Sequence, residues 1–470
     1  MLFNSYEYLF YFLPLSLAAF FLLGRRARWA VAALVVASLV FYSWWNPKYL
    51  PLILASISFN FAVGQLLRRG SGHAQAVLAC GIGANLLLLG VFKYADFVVR
   101  NATDLSGLPL ALPHIVLPLG ISFFTFTQIA YLVDVHRGKA KEPSFVNYAL
   151  FVSFFPHLLA GPILHHSEMM PQFASPSNKR PQPFHLAAGL FLLAIGLVKK
   201  VCIADPLAPV VASGFDHPES ISVLAAWLAV LAYTLQIYFD FSGYTDMALG
   251  AARMFNIQMP VNFDSPYHST DIREFWRRWH ITLSRFLREY LYIPLGGNRH
   301  GLVRTAANVM ATFLLGGLWH GAAWTFVAWG ALHGFGLLCV RVWERTGRRL
   351  PRVLAWATTF VFVMLTWVFF RASSLDAAWM MLRTLAGGSA VAEPWRGALQ
   401  RALASDTQTS PMLVGATLVV GLVVITLRRN SNVMALDFRP TWPRGALVAI
   451  GLVWSVLQLW KVTPFLYFNF

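Results

Sequence analysis

The stretch that decides the fold begins at Ser269 with STDIREFWRRWHITLSRFLREYLYIPLGGNRHG and closes at Gly334 with LLGGLWHGAAWTFVAWGALHG. In its first part, apolar residues recur at steps of three and four, which predicts one amphipathic helix over residues 272–290. Arginines occupy the other side, and a central arginine costs about 2.5–3.5 kcal/mol to insert into a bilayer. We therefore expect the helix to lie at a membrane interface or to line a polar cavity. The apolar stripe is Ile272, Trp276, Trp279, Leu283, Phe286 and Tyr290, and the arginines are Arg273, Arg277, Arg278, Arg285 and Arg288.

Two histidines in this stretch are candidate catalytic residues. His320 lies in an apolar run with no other titratable side chain until His333, and an ionisable group at membrane depth is a functional candidate by default. A neutral imidazole in such surroundings can act as a general base near neutral pH. On a regular helix His280 would lie at the border of the apolar stripe, about 80° from its centre. The alternative to a catalytic role for His320 is a structural histidine that is hydrogen-bonded between helices. The alternative for His280 is a side chain that extends to the membrane interface.

Small residues and arginines surround the two histidines. Gly317 and Gly321 are four residues apart, a spacing that lets another backbone approach closely or leaves room for a substrate chain. As a group, Arg273, Arg277 and Arg278 could hold the phosphates of an anionic cofactor or meet anionic lipid headgroups. Taken singly, such arginines are more often solvated interfacial residues.

The whole chain has the composition of a membrane protein with several spans. It has 470 residues, of which 57% are hydrophobic and 12% charged, whereas an average protein is about 25% charged. The alternation of a membrane β-barrel is absent, so helices must satisfy the backbone. We predict an all-α polytopic fold of about eleven transmembrane helices with re-entrant and interfacial pieces.

Individual apolar runs place these spans along the chain. Residues 101–113 are polar and predict an outer loop, and Pro156, Gly161 and Pro162 interrupt the run at 145–166, which predicts a broken, re-entrant segment. The longest polar insertion is 373–410. Outside the deciding stretch, the predicted spans are 8–23, 29–45, 50–67, 76–92, 114–134, 185–203, 222–240, 353–370, 412–427 and 445–460.

The net charge of +17 does not indicate a nucleic-acid partner. Its basic residues fall in short loops between apolar runs, as at 25–28, 68–69 and 345–352, which is the pattern of the positive-inside rule. With these loops in the cytoplasm, the N- and C-termini lie outside. Glu7, and not a basic region, precedes the first span, so we expect that span to remain uncleaved.

Several other chemistries lack their motifs. Cys80, Cys202 and Cys339 have no paired spacing, and the histidines at 157, 165, 166 and 333 match no zinc motif, so we predict no metal site. Ser242 is not in a GxSxG turn, which argues against serine hydrolysis. Neither a phosphate-binding GxxxxGK[ST] loop nor a dinucleotide fingerprint occurs, which argues against ATP hydrolysis and nicotinamide redox chemistry.

Longer motifs run through nearly the whole chain. Besides the deciding stretch they are MLFNSYEYLFYFLPL at 1–15, FKYADF at 92–97, LPLGISFFTFTQIAYLVDV at 117–135, FFPHLLAGPI at 154–163, YFDFSGYTDMALG at 238–250 and PFLYFNF at 464–470. Together they resemble the membrane-bound O-acyltransferase (MBOAT) family, in its bacterial branch with alginate O-acetylase and the D-alanyl transfer protein of lipoteichoic acid. The resemblance implies one transmembrane domain over 1–470, with a catalytic core at about 114–340 and helices around a central funnel or tunnel.

The same resemblance implies an activity. His320 matches the family's catalytic histidine in LWHG, and His280 matches its second histidine in FWRRWH. We expect a membrane O-acetyltransferase that moves acetyl from a cytoplasmic thioester, acetyl-CoA, to or across the membrane for O-acetylation of an exported polysaccharide, with alginate favoured. Peptidoglycan, cellulose and D-alanyl transfer to teichoic acid stay open. His320 would remove the hydroxyl proton, or become transiently acetylated.

Supporting roles and partners follow from the resemblance as well. His280 would donate a hydrogen bond to the oxyanion or help to hold the donor, and Arg273, Arg277 and Arg278 would attract its phosphates. We expect no permanently bound cofactor. The expected partners are a periplasmic or membrane-tethered acetyltransferase, the exported polysaccharide and the lipids of a bacterial inner membrane, with no nucleic acid.

A transporter is the alternative of another class. Asp240 and Asp246 lie in an apolar context, and the 145–166 segment is broken. Carriers use broken helices and buried acids of this kind to bind a substrate or a proton. However, no inverted repeat is visible in the sequence.

Overall fold

A computed structural model describes residues 1–70, 72–159, 161–388, 411–427, 429–460 and 463–466. Over these residues the chain forms helices and connecting segments without strands, which confirms the all-α prediction. The α-helices are Leu13–Leu22, Ala27–Ser43, Leu50–Arg68, Ala74–Leu89, Ala95–Ser106, Ile121–His136, Phe145–Ser153, Phe155–Leu158, His166–Ala174, Pro183–Leu197, Asp205–Phe215, Val223–Met254, Ile272–Arg278, Ile281–Leu287, Gly301–His320, Trp324–Arg345, Arg352–Arg371, Leu375–Leu385, Pro411–Thr426, Ser431–Leu436 and Trp442–Leu457.

Eight helical stretches in the described part of the chain are long and apolar enough to cross a membrane, and three shorter apolar helices accompany them. Among the residues that the structure describes, four π-helical turns extend α-helices and lengthen several of these stretches, because they continue the chain in a helical path. The result is a polytopic membrane protein, as the composition predicts. The long stretches are Glu7–Arg25, Pro47–Arg68, Ala74–Ser106, Pro183–Phe215, Val223–Met254, Gly301–His320, Trp324–Arg345 and Arg352–Arg371.

The chain divides into two compact units. Unit 1 comprises Met1–Gly196, Tyr244–Val261 and Ala435–Pro464, and unit 2 comprises Leu197–Gly243, Asn262–Met434 and Phe465–Phe470. The residues predicted as catalytic or donor-binding all belong to unit 2. Most of the predicted polar insertion at 373–410 lies outside the described residues, which there end at Gly388.

Aromatic side chains form the core of unit 1. Phe3, Tyr8 and Phe41 are fully buried, and the ring of Phe155 lies 5.3 Å from that of Phe41. Such tilted and edge-on pairs add to the stabilisation that burial of large rings provides. Phe155 belongs to the segment that the sequence predicts to be broken, and the structure confirms separate helices at Phe145–Ser153 and Phe155–Leu158.

Two predicted boundaries in unit 1 are wrong. The polar residues expected in a loop at 101–113 continue a helix to Ser106, because Asn101 and Ser106 donate side-chain hydrogen bonds to carbonyls one turn earlier. Gly107, with φ of +69°, then ends the helix. The span expected at 114–134 begins only at Ile121, after Pro118, which lacks a backbone N–H.

A buried ion cluster lies in unit 2. Lys200 Nζ lies 2.8 Å from Asp205 Oδ1 and 2.6 Å from Asp240 Oδ1. The backbone N–H of Leu466 also donates to Asp240 Oδ2, at 3.0 Å. Buried charges are tolerated when they are paired and hydrogen-bonded, so this cluster explains how Asp240 can occupy an apolar helix.

Candidate active site

His320 is the last residue of the Gly301–His320 helix, and the chain then turns at Gly321 into the Trp324–Arg345 helix. The side chain is 4% exposed. Its ring centroid lies 5.0 Å from that of Trp319, 5.1 Å from Trp329 and 5.3 Å from Phe370. An aromatic environment of this kind keeps water away from the imidazole and strengthens any electrostatic interaction that it makes.

Glycines allow the two helices around His320 to pack closely. A methyl group at Gly317 would collide with the carbonyl oxygen of Phe326, and one at Gly330 would collide with that of Phe313. At Gly321 it would overlap the ring of Phe326. The close backbone approach predicted for Gly317 is therefore confirmed, whereas the atoms next to Gly321 belong to the side-chain ring of Phe326 and not to another backbone.

The single helix predicted over 272–290 is wrong. The structure has one helix at Ile272–Arg278 and a second at Ile281–Leu287, continued by a π-helical turn. His280 lies at the break with φ of +44° and ψ of +53°, a left-handed conformation that a non-glycine residue adopts only when its surroundings impose it. The predicted position of His280 on a regular helix face is therefore wrong as well.

A preceding segment causes this break. The backbone N–H of Asp264 donates to the carbonyl of Arg278 at 2.9 Å, and the N–H of Ile281 donates to the carbonyl of Asn262 at 3.0 Å. These bonds satisfy backbone groups that a continuous helix would use internally. Side-chain periodicity does not report such long-range pairing, so the sequence pattern alone predicts an uninterrupted helix.

His280 is fully buried at the break. Its Nδ1 lies 3.1 Å from the side-chain oxygen of Asn262, and its ring packs edge-on against Phe241 at 4.9 Å. Burial lowers the pKa of His280 to about 3, because the charged imidazolium loses its hydration. The ring is therefore neutral at physiological pH.

The structure brings the two predicted catalytic histidines together. The ring centroids of His280 and His320 lie 6.3 Å apart, with their planes at 61°. A direct hydrogen bond between two imidazoles needs centroids at about 5 Å, whereas one oxygen bonded to both rings fits a wider separation. Two imidazoles at this distance can act on the same small polar group, as acid–base catalysis requires.

A third histidine nearby has a structural role. His333 Nδ1 accepts a hydrogen bond from the indole N–H of Trp276 at 3.2 Å. Because Nδ1 accepts, the hydrogen of the neutral ring is on Nε2, which lies 3.0 Å from the hydroxyl oxygen of Thr366. Both nitrogens are thus occupied by bonds within the protein.

A cavity of about 730 Å³ lies beside these helices in unit 2. Arg277 and Arg288 are exposed at its rim, and Thr312 is buried within its wall. Most of the wall is apolar. The lining residues are Arg273, Trp276, Arg277, Ser284, Leu287, Arg288, Tyr292, Asn298, Val309, Thr312, Phe313, Leu337, Leu338, Arg341 and Glu344.

The predicted donor-binding arginines have different positions relative to this cavity. Arg273 lines it but forms a two-bond ion pair with Glu344, at 2.8 and 2.7 Å. Arg277 also lines it. Arg278 is not among the lining residues and bonds to Glu274 and Asp264. The proposed phosphate-binding role of all three stays a prediction.

Sequence reasoning missed part of the basic rim. The helical periodicity places Arg288 on the predicted helix, but it assigns no role at a cavity to Arg288, to Arg341 or to the turn Gly296–Arg299. A second cavity, of about 340 Å³, shares Arg288, Tyr292, Asn298 and Arg341 with the first and adds Arg299. The signal in the sequence was the pair Gly296–Gly297 followed by Asn298 and Arg299, which is typical of a turn that presents polar groups.

Aromatic rings connect the large cavity to His320. Trp276 lines the cavity, and its ring lies 5.7 Å from that of Trp329. Trp329 in turn lies 5.1 Å from His320. His320 itself is not among the lining residues, and these two indole rings connect the cavity lining to the imidazole.

Comparison with known proteins identifies the family of this chain. Residues 121–377 match the membrane-bound O-acyltransferase family. The chain belongs to this family. Both catalytic candidates, the cavity lining and the Asn262 segment fall within the matched residues, so this membrane-bound O-acyltransferase carries its candidate active site in the part that defines the family. The predictions of family, acyltransferase activity and a multi-pass membrane protein are confirmed.

Relatives of this membrane-bound O-acyltransferase match it over most or all of its length. It is 41% identical to the peptidoglycan O-acetyltransferase of Helicobacter pylori, over 100% of this chain and 98% of that protein. It is 44% identical to the probable alginate O-acetylase of Azotobacter vinelandii, over 81% of this chain and 77% of that protein. Against the probable alginate O-acetylase of Pseudomonas putida, the identity is 38% over 100% of both chains.

Proposed function

We propose that this protein is an O-acetyltransferase that moves acetyl from a cytoplasmic thioester donor, acetyl-CoA, to or across a bacterial inner membrane for O-acetylation of an exported glycan. The observation that carries the proposal is the pair of buried imidazoles, His280 and His320, 6.3 Å apart within the family's matched region. Relatives named as O-acetyltransferases match the whole chain, which favours acetyl over D-alanyl as the acyl group.

The large cavity is our candidate for the donor. Coenzyme A carries phosphates at one end and a long, mostly neutral arm that ends in the thioester. Arg277, Arg288 and Arg341 would bind the phosphates, since arginine pairs well with phosphate oxygens. The apolar walls would contact the arm, with Trp276 near its acetyl end. Arg273 is the weaker candidate because Glu344 already balances its charge.

The reaction that we propose needs one proton acceptor near the thioester. As the acceptor hydroxyl attacks the thioester carbonyl, His320 takes its proton, the new C–O bond forms and the C–S bond then breaks. The same proton passes to the departing thiolate. A general base contributes about 10²- to 10⁴-fold to such a step. A transient acetyl-His320 is the alternative order of events, and trapping a labelled acyl-protein distinguishes the two.

The acceptor that we propose is a hydroxyl of alginate or of peptidoglycan. Whole-length relatives are named for each polymer, at 41% identity for peptidoglycan and 38% for alginate. The basic loops support an orientation with both termini outside, and a periplasmic or membrane-tethered acetyltransferase would complete the transfer. Ester-linked acetate on both polymers, measured in cells with and without the gene, decides between them.

The test of the proposed function uses membranes that contain the full-length protein. Labelled acetyl-CoA is supplied, and ester-linked label is followed into isolated glycan or a co-expressed partner. We expect transfer that depends on the protein and on His320. If substrate crosses proteoliposomes without any acyl donor while no acetyl ester forms, the protein is a carrier and the proposal is wrong.

A further inference from the structure

Asn262 contacts His280 from a segment that precedes it in the chain. Its Oδ1 atom lies 3.1 Å from His280 Nδ1. The same oxygen accepts hydrogen bonds from the backbone N–H of Thr282 at 3.2 Å and from the hydroxyl of Thr282 at 3.0 Å. Asn262 and His280 are both 0% exposed, so water does not compete for these bonds.

The backbone of Thr282 decides which way the Asn262 amide faces. A backbone N–H can only donate, so the side-chain atom that faces it must be the carbonyl oxygen. Rotating the amide by half a turn would place its NH₂ group against that N–H. The oxygen that faces His280 Nδ1 can therefore only accept, and Nδ1 must carry a hydrogen.

The remaining nitrogen of His280 then has a defined character. The ring is neutral, because its burial lowers the pKa to about 3, and a neutral imidazole carries one N–H. With that hydrogen on Nδ1, the Nε2 atom has a lone pair and no hydrogen. It can accept a hydrogen bond but cannot donate one.

We propose that Asn262 is a positioning residue that holds His280 in the tautomer with Nδ1 protonated, so that His280 Nε2 accepts a hydrogen bond from the substrate and does not donate one to the oxyanion. This inference rests on the proposed function. An oxyanion needs N–H or O–H donors, which Nε2 of this tautomer lacks. A hydroxyl of the acceptor or an amide N–H of the donor's pantetheine arm supplies the required hydrogen.

Several described contacts of the His280 ring come from uncharged side chains. Phe241, Asn262, Trp319 and His320 contact the ring from neighbouring elements. Of these four, only His320 is ionisable. A carboxylate introduced at position 262 would lie against His280 Nδ1 and is therefore expected to raise the pKa of His280.

Asn262→Asp is the variant that tests the inference. The Nδ2 atom of Asn262 has no hydrogen-bond partner among the described residues, so replacing it with oxygen removes no bond, and the contacts of Oδ1 remain possible. The new carboxylate favours the charged imidazolium and raises the pKa of His280. Once protonated, Nε2 donates, so acetyl transfer should fail at low pH and recover at high pH.

The measurement is the rate of transfer from labelled acetyl-CoA in membranes across a range of pH. In Asn262→Asp we expect the acid limb of kcat/KM to move upward by about one pH unit or more. At pH values below that acid limb, a raised KM for acetyl-CoA indicates that His280 Nε2 bonds to the amide N–H of the donor. A lowered kcat with unchanged KM indicates the acceptor hydroxyl.

Asn256→Asp is the matched control. Asn256 Oδ1 also lies 3.1 Å from a histidine Nδ1, that of His185, but its NH₂ group donates to the carbonyls of Asn178 and Arg180. This variant should yield less folded protein and leave the pH profile of the folded fraction unchanged. A structural defect alone therefore does not reproduce the expected shift.

A second readout separates this inference from the proposed function. In protein labelled with ¹⁵N-histidine, the His280 signal, identified by its loss in His280→Gln, should report a protonated Nδ1. The opposite tautomer overturns the inference even if acetyl transfer is fast. An Asn262→Asp protein with the wild-type pH profile and rate also overturns it. Absence of transfer in the wild type, with Nδ1 protonated, contradicts only the proposed function.

Discussion

The indole N–H of Trp276 donates to His333 Nδ1 at 3.2 Å and so joins the cavity wall to the helix that follows His320. His333 also lies 3.0 Å from the Thr366 hydroxyl, which donates to the carbonyl of Val363 at 2.8 Å. This chain of bonds fixes His333 as a structural residue.

Replacing His320 with alanine should abolish chemistry while the protein remains folded. We expect acetyl transfer to fall by about 10²- to 10⁴-fold, the usual contribution of a general base. His333→Ala should instead lower the folded yield and leave activity per folded molecule largely unchanged, because it leaves the Trp276 N–H donor and the Thr366 hydroxyl acceptor without their His333 partner. The checks are folded yield by size-exclusion chromatography and activity per folded molecule. Wild-type transfer by His320→Ala would remove its assigned role.

Substitution at the cavity rim should weaken donor binding. Arg288→Ala and Arg341→Ala each remove a cation that lines both cavities, and a hydrogen bond to a charged group contributes about 1.5–3 kcal/mol. We therefore expect the KM for acetyl-CoA to rise about tenfold or more, with a smaller change in kcat. Steady-state transfer at several donor concentrations measures both.

Substitutions of two further arginines show whether the change in KM is specific to the cavity rim. Arg304 is exposed on the His320 helix and lines neither cavity, so Arg304→Ala should leave the KM unchanged. Arg278→Ala tests the role predicted from the sequence. Its bonds to Asp264 and Glu274 lead us to expect a lower folded yield with a normal KM. Equal effects from all four substitutions would indicate a general loss of positive charge and no phosphate site.

A methyl group at Gly317 should separate the two helices around His320. It would collide with the Phe326 carbonyl, and overpacking of this kind costs about 1–3 kcal/mol. We expect Gly317→Ala to lower the thermal unfolding temperature and to reduce activity. Gly83→Ala is the control, since that glycine is also helical but has open space at its Cβ position. Equal melting temperatures for the two variants would contradict the close approach.

Removing the cation of the buried cluster should destabilise unit 2. Lys200→Met leaves Asp205 and Asp240 without their shared partner, and breaking a buried ion pair costs about 3–5 kcal/mol. Adding Asp240→Asn removes one of the uncompensated charges, so the double variant should unfold at a higher temperature than Lys200→Met alone. Thermal unfolding in detergent measures this order. The reverse order would show that Asp240 is stabilised by other groups.

Much of the fold could be predicted because it depends on local composition. Apolar runs located the spans, and Pro156 and Gly161 correctly indicated the broken segment. The polar composition predicts a loop from residue 101, and this is wrong because polar side chains such as Asn101 form hydrogen bonds to carbonyls of their own helix. Gly317 predicts the helix contact correctly because small size is itself the physical cause of the approach.

The candidate site was predictable only in part. His320 and His280 were identified by type, context and resemblance, but the break at His280 depends on Asn262 and Asp264, which lie outside the periodic stretch. The sequence around them, NFDSP, indicates a turn without indicating which helix it contacts. Arg341 was missed for the same reason, since only the fold brings it to Arg288 at the cavity rim.

The Lys200 cluster also has a mechanical consequence. Asp240 is anchored by Lys200 and by the backbone of Leu466, and the next residue, Phe241, packs on His280 at 4.9 Å. A shift of the Val223–Met254 helix along its axis would pull Asp240 off its partners and carry the Phe241 ring away from the imidazole together. The ion cluster therefore fixes the position of this helix along its own axis, and with it the position of the Phe241 ring against His280.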